Sequence, residues 1–321
     1  IFAICYKIQE GEYNRMESAS GEPAGTPTFE EVSRQLMGAL RARKEPINRL
    51  DAQVNQCLGQ CLGESDQLEQ IVCAASGLLE QAKAKFASGE LTEAQQCAAG
   101  AEGLLVQGEK DYGSLWEAVR RGKESEAVKK GEASQLLWQY LWRYLASVTL
   151  YADTCLAISL AIQGRAHYAQ GTKTYDTETM LLGNPARNSL EFAVKKCQEA
   201  YAAFLKLEGS STAPEDRLTL YKRLAGMSNL RAAGCFTLGL DSYLRGIKVL
   251  ADAEKAAKAD PASVYGYISN AEVRRIEECL DVASKWFKLT IGIDDEANAK
   301  GVLIMPDFRR LTEKALSEIG I

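Results

Sequence analysis

An all-α fold of stacked antiparallel helical hairpins, either an α-solenoid or an irregular elongated helical bundle, is predicted by three observations. Proline stands at Pro23, Pro27 and Pro46 and then not again until Pro185, and the span between is rich in the helix formers Ala, Leu, Glu, Gln and Lys. Apolar residues recur in it at steps of three and four, as on one face of a helix. No segment shows the sustained alternation of β-branched and aromatic residues that a half-buried strand requires.

These patterns place helices near 28–44, 47–62, 65–88, 91–109, 112–122, 130–170, 186–208, 214–245, 248–259, 262–290 and 305–319. Thr28 with Glu31 after Pro27, and Thr212 with Glu215, have capping-box spacing. Asn184-Pro185 and Asp260-Pro261 each set a capping side chain before a proline suited to a first helical turn. The longer connections, at 171–186 and 290–306, read as insertions or turns across repeat edges. The chain divides into an N-terminal segment over 1–27, extended or the remnant of a leader or anchor, N-terminal hairpins over 28–130, and a helical-repeat region over 131–321 continuous with them. "IFAICYKIQEGEYNR" has too short an apolar run before Lys7 for a secretory segment. Met16 is the alternative start, and residues 1–15 are then an upstream extension.

The hydrophobic share of 46% over 321 residues is ample for a continuous core. Lys and Arg number 38 against 43 Asp and Glu, so no global field favours nucleic acid or an anionic membrane. Short basic clusters such as Arg120, Arg121 and Lys123 are solvated helix faces. The apolar stretch from Leu136 to Ile162 carries Gln139, Arg143 and Asp153, which favours a core helix over a membrane span. Within it Trp138, Leu141, Trp142, Leu145 and Val148 share one face, while Tyr140, Tyr144 and Tyr151 form a second stripe. A helix apolar nearly all round is central.

The nine cysteines sit singly in helical stripes: Cys57 and Cys61 with Ile47, Leu50, Val54 and Leu58; Cys97 with Ala94, Ala98 and Ala101; Cys197 with Leu190 and Val194; Cys279 with Ile276 and Leu280. They read as packing residues in a reducing compartment, neither zinc ligands nor disulfides, and so place the protein in the cytoplasm. His167 is the only histidine, which removes two-histidine metal sites, and no HExxH, GxGxxG, Walker or GxSxG motif is present. Asp294, Asp295 and Glu296 read as dipole-compensating acids ahead of a helical turn. No catalytic residue, cofactor or metal is assigned, and the expectation is a non-enzyme.

One internal repeat recurs at intervals of about 80 residues, as two stacked hairpins of about 40 would give. Ala82, Phe86 and Gly89 match Gly164, Tyr168 and Gly171, and again Gly239, Tyr243 and Gly246. In each set the small residue admits a partner helix, the ring fills the seam, and the glycine takes a left-handed closing conformation. "AKAKFASGELTEAQQCAAGAEGLL" resembles a tetratricopeptide-type hairpin, with Ala82, Gly89, Leu91, Ala94, Ala98 and Ala101 at that family's small and packing positions. A second resemblance covers about 140–285. There "LAISLAIQGRAHYAQG", "CQEAYAAFLKL" and "LAGMSNLRAAGCFTLG" are similar to the helix succession of BRO-type domains in ALIX-like scaffolds of the ESCRT pathway. Both resemblances imply a surface that binds another protein or peptide. The expected function is a non-catalytic interaction scaffold or adaptor. Its alternatives are an endosome-associated BRO-type module recruiting endosomal-sorting proteins, and an exported helical protein tethered to the envelope if residues 1–15 are an anchor remnant.

Overall fold

The computed structural model describes residues 52–124, 132–176, 180–209, 214–259, 269–302, 304 and 306–320. The proposed helix at 28–44, the segment 1–27 and the capping positions Thr28, Thr212 and Asp260-Pro261 lie outside the described residues. Seven helices form among those described: α1 (Ala52–Ala87), α2 (Leu91–Glu124), α3 (Glu132–Lys173), α4 (Asn184–Glu208), α5 (Pro214–Ala259), α6 (Asn270–Ala299) and α7 (Pro306–Ile319). The fold is all-α, and its helices pack as antiparallel neighbours. The one departure is a two-residue antiparallel bridge in the connection after α3, pairing β1 (Tyr175–Asp176) with β2 (Leu181–Leu182). The chain forms two compact units, one ending at Ser159 and the other running from Leu160 to the C-terminus, so α3 contributes to both.

In the N-terminal unit, burial follows one rhythm. On α1 the buried residues are Cys61, Ser65, Leu68, Val72, Ala75, Leu79 and Ala82; on α2 they include Ala94, Ala98, Ala101, Leu105, Leu115 and Val119; on α3, Trp138, Leu141, Leu145, Val148, Cys155 and Ser159. Alternating steps of four and three give a mean period of about 3.5, that of coiled-coil packing. α1 and α2 run antiparallel: a Cβ at Gly108 would lie 3.2 Å from Ile71, and Tyr112 donates to Gln67 at 2.8 Å. α3 runs antiparallel to α2, where Trp116 meets Trp142 edge-on at 4.8 Å and donates to Thr149 at 3.0 Å. Against α1 it runs parallel, joined by Ser76 with Tyr151 and by Tyr144 donating to Glu69.

α1 runs unbroken where two helices, 47–62 and 65–88, are expected from the sequence. Gly59 and Gly63 cost a helix about 1 kcal/mol each relative to alanine, and the Ser65 hydroxyl satisfies itself on the Cys61 carbonyl at 2.7 Å. The seam outweighs these local breaks. α1 ends at a Schellman turn. Gly89 has φ +80°, its N–H donates to Phe86 O at 3.0 Å, and the Glu90 N–H reaches Lys85 O at 2.9 Å. α2 and α5 are likewise continuous across the expected breaks at 110–111 and 246–247.

The C-terminal unit is a run of antiparallel pairs. The end of α3 packs on α4, α4 on α5 and α5 on α6, with α7 laid against α5 and α6. α4 repeats the heptad rhythm with Ala186, Leu190, Ala193, Cys197, Ala200, Phe204 and Leu207 buried. α5 is the hub, buried on nearly all sides from Gly226 to Ser242. α6 starts at a capping box, Ser269 with Glu272, and continues to Ala299 through the stretch expected as a loop. Ala283, Phe287, Thr290, Asp294 and Ala297 carry its seam that far. Within α3, Leu141–Lys173 is long and apolar enough to cross a membrane by length and composition. Mean hydropathy is 1.7 in its most apolar window, 47% of which is buried in the protein.

Candidate functional site

A long helix buried on all sides must still place its polar side chains, and α5 does so at two centres. Asp241 is fully buried. One carboxylate oxygen accepts the Leu182 N–H at 2.8 Å; the other accepts Arg187 Nη1 at 3.2 Å and Arg245 Nε at 2.9 Å. Arg245 also donates to the Leu182 carbonyl, and Arg187 Nη2 to Ser242 Oγ at 3.2 Å. One carboxylate thus ties β2, α4 and α5 together, and its known hydrogen bonds are complete. Its chemistry is that of a clamp.

The second centre lies ten residues earlier on α5. Arg231 is only 4% exposed; its Nη2 donates to Glu296 on α6 at 2.8 Å, and its guanidinium carbon sits 4.6 Å from the ring centroid of Tyr201 on α4. Its Nε and Nη1, with the Tyr201 hydroxyl and Ser228 Oγ, are buried without a hydrogen-bond partner among the described residues. Burial pushes the Cys197 thiol up to about 12 and the Cys235 thiol to about 12, with Arg231 opposing both and Arg165 also opposing at Cys197. Burial also raises the Tyr201 phenol, helped by Glu296 and opposed by Arg231. Neither thiol is a nucleophile at neutral pH.

Asp294, Asp295 and Glu296, expected ahead of a helical turn, lie inside α6 near its C-terminal end. Carboxylates are disfavoured there by the helix dipole, and arginines compensate. Arg309 of α7 holds Asp294 at 2.8 Å and Asp295 at 2.7 Å, while Glu296 takes Arg231. Among the described residues no group of three His, Cys, Asp or Glu side chains is placed to hold a metal ion.

The repeat positions do not converge on one site. Ala82 is buried in the α1 seam, Phe86 is half-buried and Gly89 makes the turn. A Cβ at Gly164 would stand 2.5 Å from Cys197 Sγ, and one at Gly239 2.7 Å from the Phe287 ring, so both glycines mark close helix approaches. Tyr168 is buried, and Tyr243 donates to Glu318 at 3.0 Å. Gly171 and Gly246 lack the left-handed conformation expected of them. Each stays inside its helix, because Leu190 faces the first and Cys279 the second. The thiols also divide: Cys61, Cys155, Cys197 and Cys235 are buried, Cys97 and Cys279 intermediate, whereas Cys57 and Cys73 are exposed. Cys57, expected in the seam with Cys61, is therefore off it.

His167 stacks on exposed Phe192 with ring centroids 5.5 Å apart. Burial, aided by the positive charge of Lys196, holds its pKa below the usual 6.5. As the only histidine, it gives a single imidazole titration by NMR, with an expected midpoint below 6.5. Between that midpoint and 6.5 the unfolded chain binds more protons, so stability falls as pH drops through the window. A midpoint at or above 6.5 contradicts this placement of the ring.

The fold and its polar centres define the class: an all-α protein of antiparallel helix pairs, the pairs of its C-terminal unit stapled through α5. Comparison of the chain with protein-family models, with curated proteins and with solved structures finds no match in any of the three.

Proposed function

We propose that this protein is a non-catalytic scaffold that binds another protein or peptide along the outer face of a long helix. The observation that carries this reading is a second stripe on α1. Gly63, Gln67, Gln70, Ala74, Gly77, Gln81 and Ala84 repeat the heptad steps of the buried seam, yet all are exposed and none is charged. Solvent-facing helix surfaces ordinarily carry charge. Here a side chain added at Gly63 or Gly77 would meet nothing within 4 Å, so the unit's own packing gives those glycines no role. Small, uncharged side chains at this spacing let a partner helix approach closely.

The test separates binding from folding. Gly77→Ala is expected to stabilise the protein by about 0.5–1 kcal/mol, because alanine is the better helix former and the site is open. Ala74→Arg with Gly77→Arg is expected to leave the helical circular-dichroism spectrum intact and to lose the proteins captured by the native chain from its source. Capture of the same proteins by both forms would defeat the reading.

The finer family reading favours long BRO-type hairpins over 34-residue tetratricopeptide repeats, since α1 alone is 36 residues long. The region resembling BRO-type domains falls on α3 to α6, which pack as successive neighbours. Under this reading the captured partner is an endosomal-sorting protein, and the scaffold works in the cytoplasm at the endosome.

A further inference from the structure

The centre around Arg231 has donors and lacks acceptors. A guanidinium carries five N–H bonds, and in Arg231 only Nη2 is engaged, by Glu296. The Nε and Nη1 hydrogens are unmatched, as is the Tyr201 hydroxyl, and the guanidinium carbon lies only 4.6 Å from the Tyr201 ring centroid. Tyr201 is 1% exposed, so bulk water does not complete these groups. Buried polar groups are almost always paired, and N–H groups left over on a buried cation are costly exceptions. Arg165 adds a second positive charge within reach of the Cys197 thiol, which also feels Arg231. A water molecule would accept there, but it would bring two further hydrogens to a place already rich in donors.

We propose that Arg231 and Tyr201 form a buried binding site for a small inorganic anion between α4 and α5. The anion accepts from Nε or Nη1 and from the phenol, and it balances a guanidinium whose only carboxylate partner among the described residues, Glu296, is 39% exposed. The helices approach closely nearby: a Cβ at Gly234 would stand 2.6 Å from Val194, and one at Gly164 2.5 Å from Cys197 Sγ. The anions to test are therefore small ones, chloride, phosphate and sulfate.

The full chain is melted at constant ionic strength while chloride, phosphate or sulfate replaces gluconate, a larger organic anion. At least one of the three is expected to raise the Tm along a saturating curve. Tyr201→Phe is expected to move the midpoint of that curve to a several-fold higher concentration. Arg231→Met is expected to abolish the response and, in gluconate, to melt no lower than the native chain, because it removes a buried charge that then has no anion. A Tm that none of the three anions raises, or that rises without saturating, overturns the proposal. So does a saturation curve unchanged in Tyr201→Phe, and that variant decides if Arg231→Met fails to fold.

Discussion

Replacing Asp241 with alanine is expected to destabilise the protein by about 3–5 kcal/mol, read as a lower midpoint in urea or a lower Tm. The carboxylate is wholly buried and accepts from two arginines and one backbone N–H. Its removal strands the Leu182 N–H and leaves two guanidinium groups, 24% and 32% exposed, with only Glu191, 3.5 Å from Arg187, as counter-charge among the described residues. Asp241→Asn is expected to recover little, since an amide keeps one acceptor but turns its NH₂ toward the arginines. Arg245→Met is expected to cost less than Asp241→Ala, because the clamp then keeps Arg187. Equal losses for Asp241→Ala and Arg245→Met would show that the carboxylate is not the shared centre of this clamp.

Gly164→Ala is expected to destabilise by about 1–3 kcal/mol, opposite in sign to the same exchange at Gly77. The new methyl would stand 2.5 Å from Cys197 Sγ and 3.1 Å from its backbone nitrogen, so rotating the thiol alone does not clear it. α3 and α4 must separate locally, and the gain in helix propensity, about 1 kcal/mol, only partly offsets this. Pairing Gly164→Ala with Cys197→Ala removes the sulfur but not the backbone contact. The double-mutant cycle is therefore expected to show a favourable coupling of roughly 0.5–3 kcal/mol that falls short of full rescue. Additive losses would mean that the two residues do not touch.

The helical class and the seam of each helix were legible because a repeat of three and four is written locally. Helix lengths were harder. Gly63 and Ser65 in α1, and Gly246 in α5, look like ends when judged by propensity, and only the unbroken burial rhythm across them shows that packing prevails. That rhythm also shows Cys57 to be off the seam, and it carries α6 through "TIGIDDEANA". The capping box of Ser269 and Glu272 that starts α6 went unread: the expected start of that helix was Asp260-Pro261, outside the described residues. The polar centres were not legible in the same way. Arg187 and Asp241 are 54 residues apart, Arg231 and Glu296 65, and no local pattern announces either pair. What the sequence does contain is Asp241 with its i+4 partner Arg245 in the otherwise apolar run "GCFTLGLDSYLRG", and a lone Arg231 in "MSNLRAAGCF". A charge in the middle of an apolar helix needs a partner somewhere, although the sequence does not say which.

Nearest-neighbour pairing also governs how the protein is made. α1 closes on α2, α4 on α5 and α5 on α6, each across a single connection, so few contacts wait for distant chain. Such low contact order favours fast folding. During synthesis, each hairpin has its whole interface as soon as its second helix clears the ribosome, and domains fold from the N-terminal side first. The Asp241 clamp forms only after α4 and most of α5 have emerged. Until then, the arginine and the backbone groups it will hold remain in water, where their exposure costs nothing.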